Sequence, residues 1–548
     1  MFSSDTIKKK GKTMKRIISA LLAGALSLCM FSGCTGGKTS SGTEEKYFVA
    51  SELKKTDDGK VYVEVNGKPM LYTGAQVRID GYVHLDKVSF DEMEEQFKKA
   101  ASMNVNTVQL PICWADLEPE KDQYYFREMG KLLNWANENG LKIEILWFTY
   151  QTGKIYCPTY IFEDEETYPQ YQCDIKGEIW GPEGKTGYLV YTTPALLERE
   201  RLVIKELTDY IYEWEETNGF PVIVTGYQIH NEADNFPRWG ISQNHVKLPD
   251  GSRYLTDREA WNDVLTAFNN AGMAFKTSKW RAVTRANLTT MAQSEDQWKS
   301  FAPKVFRLDG IDMVGDDTYT TSIDMQKRMM ANLMGSAFDN NNFAHVAENS
   351  ANFKNTASLI LAAIAQGAGY LMYCLQLPVY WVSDDPTEDN YWEQGIFDVN
   401  GNEKSHTAEV RSILYGLKYA GTQLVVANPE DVAAFNLETD FPLDSCEQTI
   451  NTRSVTVKFR TGSKAIGYAV YYNGYLTVYA TANAEVELSN ADFSNVEYGT
   501  FKDYDFTSDG TAALENGNKL IVEGGKIYRI KADNVKRALK SDTIDFIG

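Results

Sequence analysis

The chain has no CxxC, HExxH or EF-hand pattern, so no metal motif can be read from it. No GxGxxG follows its first strand candidate, which argues against a dinucleotide-binding sheet. A barrel lyase or aldolase would want a strand-end lysine for a Schiff base or a metal cluster, and neither is evident. No cofactor is therefore expected. Cysteine is scarce, with seven in 548 residues. Apart from Cys29 and Cys34 near the N-terminus, Cys113, Cys157, Cys173, Cys374 and Cys446 are odd in number and irregularly spaced, which is no disulfide framework. Whether Cys157 and Cys173 pair is left open. Positive charge is also short: 55 Lys and Arg face 75 Asp and Glu, for a net charge of -20. Phosphate contacts need a basic face, so nucleic acid is not an expected partner. Beyond the N-terminal region no segment has the roughly 18 unbroken apolar residues of a membrane helix.

What is present begins with a targeting pattern. Met14-Lys15-Arg16 is basic, residues 17–31 are apolar, and Phe31-Ser32-Gly33-Cys34 follows. Small residues before a cysteine resemble a bacterial lipobox. That resemblance implies lipidation of Cys34 and a cell-surface protein held to the membrane by the lipid alone. Residues 1–34 form the signal and residues 35–46, rich in Gly, Ser and Thr, a flexible tether.

The whole chain is 43% hydrophobic and 12% aromatic, enough for a large core. VYVEV and Asn66-Gly67 predict a lead-in strand and tight turn. Strand candidates then alternate with helical periodicity: strands at 71–79, 106–114, 141–148, 221–230, 280–287, 311–317, 343–349 and 369–375. Helices are expected at 90–103, 124–139, 193–216, 257–279, 323–337, 355–366 and 405–419. Eight alternating strands predict an α/β fold, a (β/α)8 TIM barrel, over residues 47–421. From residue 422 to 548 short β-type runs predict a β-sandwich, as packing support or as a sugar-binding module.

Catalytic groups of such barrels sit at the carboxyl ends of the strands. The fourth strand candidate ends in His230-Asn231-Glu232 and the seventh in Glu348-Asn349. Two carboxyls facing each other there suit glycosidic cleavage, in which one is protonated and the other ionised. Retaining enzymes place them about 5–5.5 Å apart and inverting ones about 6.5–9.5 Å.

GYQIHNEAD (226–234) resembles the fourth-strand motif of clan A glycoside hydrolases, closest to the β-galactosidases of families 42 and 35. NTVQLPICWADLEPEKDQYYF (106–126), with Glu118-Pro119, is similar to their second-strand region. Ala233-Asp234 stands where family 42 members usually carry Tyr-Gly. The resemblance spans residues 65–415 and implies a retaining β-glycosidase of the β-galactosidase kind. A β-glucanase or β-mannanase of the same clan is the second expectation, and a sugar-binding lipoprotein without catalysis the third. By position it makes Glu232 the acid/base and Glu348 the nucleophile. Asn231 would hold the sugar 2-hydroxyl and Tyr319 would hydrogen-bond the nucleophile. Trp381 would floor a subsite, and Arg78 would favour the ionised form of Glu348. Trp114 and Trp147 are divided between sugar contact and packing, and His230 between ligand contact and a satisfied buried histidine. Glu144, in mid-strand, is expected to face a helix or pair with a lysine. Asp316 and Asp317 are expected to cap loops or hydrogen-bond in a subsite. The oligomeric state is not legible.

Overall fold

A computed structural model describes residues 46–149, 156–173, 188–243, 245–289, 294–335, 342–381 and 394–536. The expected signal, most of the expected tether and Cys34 lie outside these residues.

Eight parallel strands close into a barrel. They are β1 (Thr73–Gln76), β2 (Thr107–Cys113), β3 (Lys142–Phe148), β4 (Val224–Ile229), β5 (Val283–Thr289), β6 (Met313–Asp317), β7 (His345–Ser350) and β8 (Gly369–Tyr373). Each pairs with its neighbour in sequence, and β8 pairs with β1 to close the ring. Helices α1 (Glu94–Ser102), α2 (Arg127–Glu138), α3 (Pro194–Thr217), α4 (Asp257–Lys276), α5 (Glu295–Phe306), α6 (Ile323–Met334), α7 (Thr356–Ala365) and α8 (Thr407–Val426) follow the strands in turn. This is the (β/α)8 architecture expected from the alternation. Helix α5 is missing from the sequence expectation because Pro303 interrupts its pattern.

The lead-in hairpin pairs Val61–Val65 with Lys68–Met70 across Asn66 (φ 48°) and Gly67 (φ 76°), the doubly left-handed turn that Asn-Gly favours. Helix α8 runs on to Val426, so the expected break at 421 falls inside it. Its β-branched end reads as non-helical in isolation but is buried, and burial overrides propensity. Beyond it, a six-stranded and a four-stranded antiparallel sheet share an apolar core, the expected sandwich. The sandwich is seated on α8: Tyr468 and Tyr479 hydroxyls donate to the carbonyls of Gly416 and Ser412 at 2.8 and 2.5 Å. Any side chain at residue 416 would meet the Tyr479 ring at 2.5 Å, so glycine is required there.

The barrel interior is polar at its centre rather than filled with branched aliphatics. Gln76 donates to Gln109 at 2.6 Å, and the Gln109 amide donates to Gln228 at 2.9 Å and to Glu144 at 2.8 Å. Glu144 also receives Tyr72 at 2.7 Å and both Nε and Nη2 of Arg285, at 2.9 and 2.7 Å. Glu144 thus points inward and pairs with an arginine, correcting the expectation of a helix-facing residue or a lysine partner. Burial pushes its carboxyl upward, but Arg285, helped by the Tyr72 hydrogen bond, brings it below the ordinary value. Breaking such a pair leaves an uncompensated buried charge. Glu144→Ala is therefore expected to destabilise the fold by about 3–5 kcal/mol, measured by urea unfolding, while a Glu144→Met, Arg285→Met double variant regains most of that loss.

Candidate active site

Side chains alternate along a strand, and this sorts the residues at the barrel mouth. On β3, Glu144, Leu146 and Phe148 face inward; Ile143, Ile145 and Trp147 face the helices. The Trp147 indole is fully buried, donates to Glu200 Oε1 of α3 at 3.1 Å and meets the Phe275 ring of α4 edge-on. Trp114 is equally buried, lies 6.4 Å from Trp147 ring to ring, and donates to Glu118 Oε2 at 2.9 Å. Both tryptophans are therefore packing residues of the strand–helix layer, and neither is a sugar platform. Glu118 explains its own motif: it is completely buried, pairs with Arg199 of α3 and accepts from Tyr160 at 2.9 Å. The carboxylate before Pro119 ties the β2 loop to the scaffold.

Beyond β4 the alternation is deliberately broken. His230 (φ 57°) and Glu232 (φ 44°) both occupy the left-handed region, uncommon for residues with a Cβ. His230 is turned away from the mouth, fully buried, with Nε2 2.7 Å from Glu200 Oε1. It is the satisfied buried histidine, and Glu200 serves both it and Trp147.

Asn231 and Glu232 are held on the other side by Asn287 at the end of β5. The Asn287 Oδ1 accepts the Glu232 N–H at 2.9 Å, and its Nδ2 donates to Asp317 Oδ2 at 2.9 Å and to Asn231 Oδ1 at 3.3 Å. Gln228 also donates to Asn231 Oδ1, at 3.1 Å. Asn235 donates to Glu232 Oε2 at 3.4 Å. The following turn is pinned by Asp234, which accepts the Thr289 hydroxyl at 2.8 Å and pairs with Arg238 at 3.2 Å.

Glu348 comes from β7, where a register shift between Val346 and Asn349 marks an irregularity that sets the carboxyl. It is 5% exposed. Tyr319, another left-handed residue (φ 35°), donates its hydroxyl to Glu348 Oε2 at 2.6 Å, as expected from sequence. Gln76 reaches Oε1 at 3.5 Å. Arg78 does not bond Glu348 directly. It forks onto Asp80 at 3.0 and 2.7 Å and donates to Tyr373 at 2.7 Å, acting on Glu348 through its field. The side chain of Trp381 lies outside the described residues. No disulfide joins Cys157 and Cys173.

The electrostatics separate the two glutamates. Burial, then the charge of Glu348, pushes Glu232 up to about 8. Burial also raises Glu348, but the Tyr319 hydrogen bond and the charges of Arg78 and Arg285 pull it back. Glu348 is thus the first to ionise and Glu232 is the proton holder at neutral pH. A third carboxyl, Asp317, is fully buried beside them: its Cα is the register partner of Glu348, and its Oδ2 accepts from the Asn287 amide at 2.9 Å. The sequence offers subsite bonding or capping for Asp317 and nothing for Asn287. The only signals are their strand-end positions and the spacing of Asp317 two residues before Tyr319.

A family model described as a domain of unknown function (DUF4978) matches residues 264–442, which include Asn287, Asp317, Tyr319 and Glu348 but not Glu232. No curated protein matches the sequence significantly. Among solved structures, an exo-β-1,4-mannosidase of Opitutaceae bacterium strain TAV5 is similar at 15% identity and TM-score 0.46, over 68% of this chain and 63% of that one. A β-galactosidase of the psychrophilic Marinomonas ef1 is similar at 11% identity and TM-score 0.44, over 64% and 60%. The chain spans less than two thirds of either structure.

Proposed function

We propose that this chain is a retaining β-glycosidase acting on neutral β-linked sugars, with Glu348 as nucleophile and Glu232 as acid/base. The observation that carries it is the pairing of two glutamates at the ends of β4 and β7 in opposed surroundings. One is held by a tyrosine hydroxyl within the field of two arginines; the other is pushed to about 8 beside it.

In the first step Glu348 attacks the anomeric carbon, the glycosidic C–O bond breaks, and Glu232 gives its proton to the leaving oxygen. The charge leaves Glu348 as the ester forms, so the repulsion on Glu232 falls at the moment it must become a carboxylate base. In the second step Glu232 takes a proton from water as that water displaces Glu348. Asn231 is fixed by Gln228 and Asn287 through its Oδ1, which leaves its Nδ2 to donate to a sugar hydroxyl at the mouth. Trp381 is the proposed subsite floor. A β-galactoside is the first substrate to test, and an endo-cut β-glucan or β-mannan the second. Lipidation of Cys34 would hold the enzyme at the outer surface of the cell membrane.

Incubation of the wild type with a panel of aryl β-glycosides and β-linked oligosaccharides tests the proposal. Cleavage of at least one member is expected, with the acetal carbon retaining its configuration in the first product. Binding of sugars with no cleavage of any member would favour a sugar-binding lipoprotein instead.

A further inference from the structure

The segments that follow β1 and β2 meet at the rim of the barrel mouth, and three of their side chains have no part in the two-glutamate scheme. Cys113 is the last residue of β2. Alternation from Gln109 puts its side chain on the inward face, where it is buried among Leu146, Phe148 and Tyr156. A single helical turn, Trp114–Leu117, follows at once, and Asp116 on that turn comes back to the side of Cys113. From the other segment comes His84, carried on a one-turn π-helix, Gly81–Leu85, a kind of irregular turn that is frequent at functional sites. Its Nε2 lies 3.0 Å from Asp116 Oδ2. An imidazole nitrogen, a thiol sulfur and a carboxylate oxygen from these three residues all fall within 4.8 Å of one another.

A histidine and an aspartate paired at a surface need no third partner, and the bland reading of His84 and Asp116 is such a pair. The buried thiol that closes the third side is what that reading leaves unexplained. The donor set is selective. Ca2+ and Mg2+ take oxygen ligands in six or more positions, which a thiol and an imidazole do not supply. Zinc takes sulfur, nitrogen and oxygen together, at about 2.3, 2.0–2.1 and 2.0–2.2 Å. Tetrahedral ligands at those lengths lie about 3.3–3.6 Å apart, so closing around the ion asks each side chain to move by roughly 1 Å or less. His84 and Asp116 are both partly exposed, which gives an ion a way in and leaves a fourth position to water. The ligands come from two segments, so no linear motif announces them.

We propose that His84, Cys113 and Asp116 bind one zinc ion, with water as the fourth ligand. On binding, the Cys113 S–H bond breaks, the sulfur bonds to the metal as a thiolate, and the proton leaves to solvent. His84 binds as the neutral imidazole and Asp116 as the carboxylate, so two negative ligands balance the two positive charges of the ion. The ion ties the segment after β1 to the segment after β2. Two residues beyond His84, the Asp86 carboxylate accepts the N–H groups of Val379 and Tyr380 at 2.6 and 2.7 Å. The Tyr82 hydroxyl lies 3.2 Å from the carbonyls of both Gln376 and Leu377. The same segment therefore holds the turn Val379–Trp381 after β8, and the zinc tie anchors the rim on which that turn rests.

The purified chain, stripped with a chelator and dialysed, is titrated with Co2+ and then Zn2+. Co2+ stands in for zinc and reports its ligands by absorption. One Co2+ per chain is expected, with a thiolate-to-metal band in the near ultraviolet and the visible bands of a four-coordinate ion, and Zn2+ is expected to displace it and abolish both. Cys113→Ser is expected to lose the thiolate band. His84→Ala and Asp116→Ala are expected to weaken binding by at least about 100-fold. Asp116 is half exposed, so its replacement is the variant least able to disturb the fold. Zn2+ is also expected to raise the Tm of the wild type and not that of Asp116→Ala, because an ion that binds only the folded chain stabilises it by mass action. Cobalt absorption without a thiolate band, or binding and a Tm shift that persist in all three variants, overturns the proposal. So does equal stabilisation by Mg2+ or Ca2+ at the same concentration. None of these readouts needs a glycoside to be cleaved, so failure of the substrate panel would overturn the proposed function and leave the metal site standing.

Discussion

Glu348→Gln is expected to lower kcat on the order of 10^5-fold on every substrate the wild type cleaves. The amide keeps the shape and can still meet Tyr319 and Gln76, but it cannot form the glycosyl ester. The loss should not depend on how good the leaving group is, because the missing step is bond formation to the anomeric carbon. Ground-state binding is expected to survive, measured by calorimetry with the product sugar. Removing a desolvated carboxyl also removes a source of instability, so thermal stability is expected to be unchanged or higher. Equal loss of stability and activity would mean that Glu348 is a structural ion-pair partner instead.

Glu232→Gln carries the second large effect, and its signature differs. A general acid is worth about 10^2- to 10^4-fold, and that loss is expected in kcat/KM for sugar or alkyl leaving groups. Substrates with strongly acidic aryl leaving groups need little protonation and should lose far less in the first step. The pH profile follows from the same group. Glu232 rises to about 8, so wild-type kcat/KM is expected to fall as the pH climbs through that value, and the variant should lack this limb. The linkage to stability has the same sign. The folded state holds this proton more tightly than the unfolded chain, whose glutamate ionises near 4.5. The stability it contributes is full below about 4.5 and declines as the pH rises through about 8. Denaturation midpoints measured from pH 4 to 9 should therefore slope less in Glu232→Gln than in wild type.

Much of this site was legible in the sequence because it rests on periodicity and on strand ends. The eight strands and the glutamates at the ends of β4 and β7 follow from where the apolar runs stop, and the tyrosine that meets Glu348 from the resemblance to clan A glycoside hydrolases. Trp147 shows where that approach fails. It ends an apolar run as a mouth residue would, but Glu144, Leu146 and Phe148 take the inward phase of β3, and the indole falls on the helix side. One residue of phase decides the role, and a fully buried strand conceals its phase in a continuous apolar pattern. The sequence leaves His230 open between ligand contact and a satisfied buried histidine, and the left-handed backbone at its position turns the ring away from the mouth onto Glu200, which is the second of those readings. Asn287 and the Glu144–Arg285 pair were out of reach for a different reason. They join residues 141 positions apart or, for Asn287 and Glu232, 55 apart, so only the side-by-side pairing of β3, β4 and β5 brings them together.

The central claim is that Glu348 forms a covalent bond to the sugar. A 2-deoxy-2-fluoro β-glycoside of the cleaved sugar, bearing a good leaving group, slows breakdown of that ester more than its formation. Intact-mass analysis followed by peptide mapping should find one sugar per chain, on the peptide containing Glu348, in wild type and not in Glu348→Gln. Label on Glu232, Asp317 or any other residue, or full turnover of natural substrate with inversion and no label, would contradict it.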